Sequence, residues 1–296
     1  MSDKSTSSET SVPSINTLVE DIQGLFGAAP HEVAPDRVEA LGHTIAQVVQ
    51  SRLAEDDNSR KGTLRMSNLG KGDRQIWYEV KGNLQTEPLP PDTKIKFLFG
   101  DIWEAIMLFL AKEAGHEVTH EQSEVVVDGI VGHMDAVIDG VVVDVKTASK
   151  YAFKKFKDGT LQENDAFGYY EQLAGYAHAL GDIDGAWLAV EKEQGHMALL
   201  HAPKEDLAAL DIPGRIKHVK EVVESDSPPE RCYSDEEMGK SGNRVLGVNC
   251  SYCPFKFHCW SDANDGVGLR TFLYSKGPVH FTHVEKEPKD IYEVTF

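Results

Sequence analysis

Two groups of residues have types and spacings that could do chemistry. The first is Asp135, Asp144 and Lys146, set in the stretch GHMDAVIDGVVVDVKTASK, which otherwise reads as two buried strands. If Asp139-Gly140 forms a two-residue turn, facing residues have numbers that sum to 279, so Asp135 faces Asp144 and His133 faces Lys146. Strand alternation puts all four on one side, with paired Cβ atoms roughly 5 Å apart. Facing carboxylates repel unless a cation lies between them, and a divalent ion taking hard oxygen ligands supplies that charge. A lysine two residues further on can then hold a water or stabilise charge during hydrolysis. An ordinary solvent-facing hairpin with Asp–Lys pairing alternates in the same way, but it gives no reason for the two acids to face each other.

The second group is Cys232, Cys250, Cys253 and Cys259, which are all the cysteines of the chain. Their spacing, Cys-x17-Cys-x2-Cys-x5-Cys, suits four thiolates around a tetrahedral zinc or a [4Fe-4S] cluster, and spacing alone does not choose between them. Either would tie residues 232–259 together and clamp them over the rest of the protein.

The elements that must hold these groups follow from periodicity. Of the 296 residues, 41% are hydrophobic, enough for a substantial core and one or two domains. Lys and Arg number 30 against 48 Asp and Glu, and the net charge of -18 argues against broad adhesion to nucleic acid or to an acidic membrane. A narrow local channel for DNA is still compatible with it. No run of 18 apolar residues occurs and the start, MSDKSTSSETSVPS, is polar, so neither a membrane span nor a signal peptide is expected and a cytoplasmic location is the default. Residues 1–14 read as a disordered tail.

From Asp36 to Ala54 the positions Val38, Leu41, Ile45, Val48 and Leu53 follow helical spacing and predict an amphipathic helix over one side of a core, with 56–63 breaking it. Ser67 caps a short helix that ends at Arg74, Trp77 and Tyr78. After EPLPPDTK a helix runs from Asp101 through Ala114, with Ile102, Ile106, Phe109 and Leu110 packed and Gly115 ending it. EQSEVVV, IVGHMDAVI and VVVDVKT are strands, joined by hairpins at Asp128-Gly129 and Asp139-Gly140. Phe167 to Leu180 is helical, AWLAVEK and HMALLHA are strands, and 212–224 is a helix with Ile212, Ile216, Val219 and Val223 inward.

With these residues in view, the chain from about Arg65 to Trp260 resembles the RecB-like branch of the PD-(D/E)XK nucleases, including the CRISPR-associated adaptation exonucleases and their phage-encoded relatives. GHMDAVIDGVVVDVKT is similar to the metal-binding core of that family. The resemblance implies Asp135 and Asp144 as ligands of Mg²⁺ or Mn²⁺, Lys146 as the catalytic lysine, and the backbone carbonyl of Val145 as a further ligand. FGDIWEA matches the preceding helix, which implies Glu104 as the third carboxylate; Asp101-x-x-Glu104 is also a capping-box spacing. Glu121 and Glu124 are nearby alternatives. YYEQLAGYAHAL resembles the Gln-x-x-x-Tyr motif, which implies that Gln172 and Tyr176 hold DNA near the metals; four apart, they share one helical face, as a purely structural pair also would.

MSNLGKGDRQIWYE is similar to the early segment of the family, in which a Cys-Pro-Arg triplet supplies a cluster ligand. Here Gly72 and Asp73 stand at the Cys-Pro positions, while Arg74, Trp77 and Tyr78 match. Arg74 is a candidate phosphate contact, and Cys232 is the candidate replacement ligand. NCSYCPFKFHC resembles the iron-sulfur segment, which favours [4Fe-4S] over zinc. SKYAFKKFKDG interleaves Lys150, Lys154, Lys155 and Lys157 with Tyr151, Phe153 and Phe156, a composition suited to single-stranded DNA or to a solvated run anchored by buried rings.

The expected fold is therefore α/β, a nuclease core of mixed central sheet flanked by helices, with a C-terminal cysteine-ligated region. Its expected parts are the tail (1–14), an N-terminal helical region (15–64), the core (65–230), and the cysteine region with a C-terminal extension (231–296). The resemblance implies a metal-dependent DNA exonuclease acting 5′-to-3′ on single-stranded ends, serving recombination, replication or repair in a bacterium or phage-infected cell. A degenerate DNA-binding adaptor and an endonuclease of the same superfamily are the alternatives. Protein partners and oligomeric state are not readable.

Overall fold

The computed structural model describes residues 13–27, 29–55, 62–81, 84 and 89–294, so the expected tail lies outside the described residues except for Pro13 and Ser14, and residues 56–61 lie outside them too. The helices of the first part of the chain are α1 (Leu18–Gly24), α2 (Pro35–Ala54), α3 (Asp73–Lys81) and α4 (Pro91–Glu113). Pro35 and Pro91 each stand in the first turn of their helix, where no backbone N–H is needed. α4 thus starts ten residues before its expected start, and Asp101 is an interior helical residue. The capping-box reading of Asp101 and Glu104 fails for that reason.

The end of α4 is as expected. Gly115 takes φ +92°, its N–H bonds to Lys112 O at 3.1 Å, and His116 N–H reaches back to Ala111 O at 3.1 Å. A left-handed residue after the last turn is what satisfies these carbonyls, and glycine takes that conformation without a Cβ penalty. α2 departs from expectation. None of its residues is buried, and Val38 and Leu53 face solvent. It is tied to α4 by Arg37–Glu113 at 2.8 Å and by Arg52–Asp101, and it stands off far enough to leave a cavity of about 1000 Å³ lined by Leu41, Val48, Leu108 and Phe109 among others. α2 flanks the core instead of covering it.

The strands are β1 (Val118–Thr119), β2 (Ser123–Val127), β3 (Ile130–Met134), β4 (Ala136–Ile138), β5 (Val141–Ala148), β6 (Gly185–Glu191) and β7 (Met197–Ala202). Five of them form a mixed sheet in the order β1-β4-β5-β6-β7, and β2 and β3 form a separate hairpin. Both Asp-Gly turns are present with φ positive at both residues, +47° and +77° at 128–129 and +50° and +81° at 139–140, the geometry that suits tight hairpins. β4 and β5 are in the expected register, Ala136 facing Val143 and Val137 facing Val142. β5 then pairs in parallel with β6, which requires a crossover. That crossover contains α5 (Lys150–Lys157) and α6 (Tyr169–Ala179); α7 (Lys204–Ala208) and α8 (Ile212–Glu224) follow β7.

The central sheet is covered on both faces. Val141, Val143 and Val145 of β5 join Met107, Leu108 and Ala111 of α4 in one core cluster. Val142, with Trp187 and Ala189 of β6, joins Leu173 and Tyr176 of α6 in the other. This explains the near-continuous apolar run of β5, since a strand buried on both faces cannot alternate. Residues 231–296 add a second, antiparallel sheet of β8 (Glu236–Glu237), β9 (Arg244–Val245), β10 (Arg270–Tyr274), β11 (Gly277–His283) and β12 (Glu293–Val294). Among the described residues no helix is long and apolar enough to cross a membrane.

The C-terminal sheet carries a buried titratable ring. His280 accepts or donates a 2.8 Å hydrogen bond with Thr271 Oγ1, and burial, aided by the Lys256 charge, pushes its pKa from 6.5 down to about 4. The unfolded chain therefore binds a proton that the folded chain refuses between those values. Stability contributed by the neutral ring is whole above pH 6.5 and is lost as the pH falls through that window. Denaturation midpoints should fall more steeply with acid for the wild type than for His280→Gln; equal slopes would contradict this account.

Candidate active site

The ladder between β4 and β5 stops at Ala136–Val143, and the chain leaves the sheet at Asp135. Residues 130–134 pair instead with β2, Glu124 facing His133. Asp135 is therefore not opposed to Asp144 in a ladder, and His133 does not face Lys146; it is exposed, 3.6 Å from Glu124. The competing pairing with β2 is what takes them out of the expected register. Freed from the ladder, the Asp135 carboxylate turns onto β5, where Oδ2 accepts the Val145 N–H at 2.7 Å. N–H and C=O of one strand residue point to the same edge, so the Val145 carbonyl also points to the edge that β4 vacates.

Asp144 and Lys146 share the strand face of Val142, toward α6. Lys146 Nζ donates to Asp144 Oδ1 at 2.7 Å. It also lies 2.6 Å from Oδ2, but without a hydrogen-bonding angle, so Oδ2 is a buried oxygen with no hydrogen-bond partner. Glu104 comes from α4, one turn beyond Asp101, and accepts from Gln122 Nε2. Burial, then Asp135 and Asp144, push Glu104 up to about 9, and burial followed by Asp144 pushes Asp135 up to about 7. Burial works against the Lys146 ammonium, but Asp144 and Asp135 outweigh it and hold its pKa above the ordinary range. These mutual effects put Glu104, Asp135, Asp144 and Lys146 in one electrostatic neighbourhood.

Among the described residues, no three His, Cys, Asp or Glu side chains converge as a preformed metal site. The carboxylates are turned to Lys146, Val145 and Gln122, as like charges must be when no cation separates them. Their chemistry nevertheless fits a hard divalent ion: three carboxylates and one backbone carbonyl, all oxygen, with Asp144 Oδ2 lacking any donor. Of the alternative acids, Glu121 pairs with Lys112 at 2.6 Å and Glu124 faces outward.

Gln172 and Tyr176 stand behind this group on α6. Gln172 Nε2 donates to Tyr176 Oη at 3.0 Å, and the buried phenol is pushed up to about 12 by that burial, with Asp144 and Asp135 acting in the same direction. Lys150 and Lys154 are exposed on α5, with Lys154 3.9 Å from Asp158, and Lys155 lies over the Tyr151 ring at 5.8 Å. Phe153 and Phe156 are core residues, so Tyr151 alone of the three interleaved rings faces out. Arg74 is directed elsewhere: it donates to Pro229 O at 2.9 Å and Tyr78 Oη at 3.3 Å and feels Cys259 and Cys232.

Two residues absent from the sequence analysis belong to the site. Gln122 holds φ +50°, its N–H donates to Asp135 O at 3.0 Å, and its side chain donates to Glu104. A non-glycine residue in that conformation is costly and is held there by its surroundings; nothing local in the sequence marks it. Tyr169 places its ring 5.1 Å from Lys146 Nζ. Its signal was available, because 169, 172 and 176 share one helical face.

The four cysteines are free thiols of the C-terminal region, and among the described residues they do not converge as a preformed metal site. Cys259 and Cys232 act on Cys250, Cys250 and Cys259 act on Cys253, and Cys232 acts on Cys259. Burial pushes Cys253 up to about 12, while at Cys259 it is opposed by the Arg74 and Arg231 guanidiniums. A Cβ built on Gly72 would collide with Sγ and Cβ of Cys232. Cys232 thus occupies the space that a side chain at position 72 would fill. Tyr78 of α3 packs on Phe255 and on the edge of His258, at 5.4 and 5.2 Å.

No family model and no curated protein matches the chain. Among solved structures it is similar to SSO0001, with 18% identity over 74% of this chain and 93% of that one and a TM-score of 0.41. It is also similar to an alkaline exonuclease, LHK-Exo, from Laribacter hongkongensis, with 10% identity over 56% and 92% and a TM-score of 0.36. Neither likeness bears on what this chain does.

Gln122 bridges two of the acids, so Gln122→Ala should weaken Mn²⁺ binding, read by calorimetric titration, by roughly 10- to 100-fold, the usual cost of removing a group that orients a ligand. Unchanged affinity would remove it from the site. Separately, if the thiols hold a metal, Cys232→Ser lowers the metal-to-protein ratio of the purified protein, and Gly72→Cys combined with Cys232→Gly restores it by returning a thiol to the same space.

Proposed function

We propose that the chain is a divalent-metal-dependent deoxyribonuclease of the PD-(D/E)XK type. The observation that carries this reading is the buried Asp144 oxygen that accepts no hydrogen bond, in the same electrostatic neighbourhood as two more carboxylates and the Lys146 ammonium. The order of elements supports it: a helix bearing Glu104, a strand break bearing Asp135, a strand bearing Asp144 and Lys146, and a helical crossover to a parallel strand.

Glu104, Asp135, Asp144 and the Val145 carbonyl would hold Mg²⁺ or Mn²⁺, which when bound neutralises the scissile phosphate and acidifies a water. Lys146 stands beside Asp144, which it meets as a hydrogen-bonded ammonium. Its ammonium donates hydrogen bonds to the attacking water and to the phosphoryl oxygens, where negative charge grows. The water oxygen would bond to phosphorus and release its proton to solvent, the P–O3′ bond would break, and the departing 3′ oxygen would take a proton from solvent, leaving a 5′-phosphate. Gln172 and Tyr176 fix the α6 side of the site and Tyr169 positions Lys146. The enzyme is an exonuclease on single-stranded ends with 5′-to-3′ polarity, serving recombination, replication or repair, with Lys150, Lys154 and Lys155 meeting the phosphates.

Cys232, Cys250, Cys253 and Cys259 would hold a [4Fe-4S] cluster in a structural role, zinc being the alternative. Their donor chemistry and the displacement of position 72 by Cys232 support it. Arg74 we assign to offsetting thiolate charge there.

The test is incubation of end-labelled linear DNA, single- and double-stranded, and of closed circles, with Mn²⁺ or Mg²⁺ and with EDTA. Metal-dependent release of short products from linear ends is expected, with Lys146→Ala at least about 100-fold slower. Cutting of circles would make the enzyme an endonuclease, and no cutting under any of these conditions would sink the enzymatic reading.

A further inference from the structure

The neighbourhood of Lys146 does not end at Tyr169. From that ring a line of aromatic side chains runs out to the cysteine segment. Tyr169 and Phe167 have centroids 5.7 Å apart with planes at 31°, and Phe167 and Tyr252 are 6.0 Å apart with planes at 54°. Tyr252 lies between Cys250 and Cys253 in the chain. Phe167 is 51% exposed and Tyr252 71% exposed, so two large rings meet in water without joining a core.

The support beneath Phe167 is rigid. Asp165 Oδ2 accepts the Tyr170 N–H at 2.9 Å. Gly168, at φ +70°, lies against Gly70 so closely that a Cβ on either would strike the other's backbone. An exposed ring on a clamped turn is a fixture of the surface, not a loose tip.

We propose that Tyr252 and Phe167 form a stacking platform for the bases of single-stranded DNA, set on the core-packed ring of Tyr169 and leading a strand from the cysteine segment toward Lys146. The proposal rests on the nuclease reading of the Lys146 site. Aromatic rings bind bases of any sequence through their faces, and only an unpaired strand offers those faces. The 6.0 Å step between the two exposed rings exceeds the ~3.4 Å rise of a stacked strand, so bases lying on both belong to an extended strand, which a duplex cannot supply without unpairing. The line of rings ends beside a cation. Tyr169 touches Lys146 at one end of the line, and its ring lies 6.2 Å from Phe156 of α5, the helix that presents Lys154 and Lys157 to solvent.

The experiment is fluorescence anisotropy of a labelled single strand with the full-length protein and no added divalent ion, so that binding is read without cleavage. Phe167→Ala and Tyr252→Ala should each weaken binding by roughly 5- to 100-fold, the size of a lost base–aromatic contact. Phe167→Trp and Tyr252→Phe should bind as the wild type does, and the emission of the introduced tryptophan should be quenched by the strand. An abasic strand of the same length should bind wild type and alanine variants alike. Wild-type affinity in both alanine variants, or equal losses on the abasic strand, would overturn the platform. Ring-dependent binding by a protein that cleaves nothing would sink the nuclease reading and leave the platform standing, whereas cleavage with ring-independent binding would do the reverse.

Discussion

The carboxylate of Asp144 sits in β5, a strand covered by α4 on one face and α6 on the other, and the ammonium that compensates it is two residues away on the same strand. A charge removed from water in this way costs several kcal/mol unless it is paired and hydrogen-bonded, and Lys146 satisfies only one of its two oxygens. The surroundings are arranged around that deficit. The chain breaks out of the sheet at Asp135 so that a second carboxylate reaches the strand edge, α4 brings a third, and Gln122 adopts a strained backbone that ties the second to the third. Removing water strengthens both repulsion among the acids and attraction to any cation, so the same burial that makes this group unfavourable alone makes it selective for a small, highly charged partner.

The cysteine region is joined to this core through α3 and the end of α8. Trp77 Nε1 and Lys81 Nζ both donate to Ser225 O, and Arg74 holds Pro229 O. Lysine at the last carbonyls of α8 also meets the negative end of that helix. The chain between α8 and Cys232 is thereby pinned to the segment preceding β1–β5, and Tyr78 packs directly on the cysteine segment. A change in the thiols is thus mechanically linked to residues 66–81, not isolated at the periphery.

Much of the core could be read from residue order because a few residues dictate backbone geometry. Asp139-Gly140 demands two positive φ angles, the turn sets the register, and the pairing of residues 136–138 with 141–143 follows. Where that ladder stops could not be read, since the apolar alternation continues unbroken through Asp135 and only the rival pairing with β2 decides it. The start of α4 was hidden differently: its prolines resemble a turn, yet proline is equally at home in a first helical turn. In α2 the periodicity was real, but a pattern states which face is apolar, not whether anything covers it. Among the site residues, those carried by motifs were accessible, while Gln122 depends on an irregular turn that composition does not announce.

The position of Cys232 against Gly72 also changes the length of chain that the proposed site must close. A thiol at residue 72 would close a loop of 188 residues to Cys259, whereas Cys232 closes one of 28. By loop-closure entropy the shorter ring is favoured by about 1.7 kcal/mol. All four thiols then lie within one contiguous segment of 28 residues, so the proposed metal needs no ligand from the distant segment at residue 72.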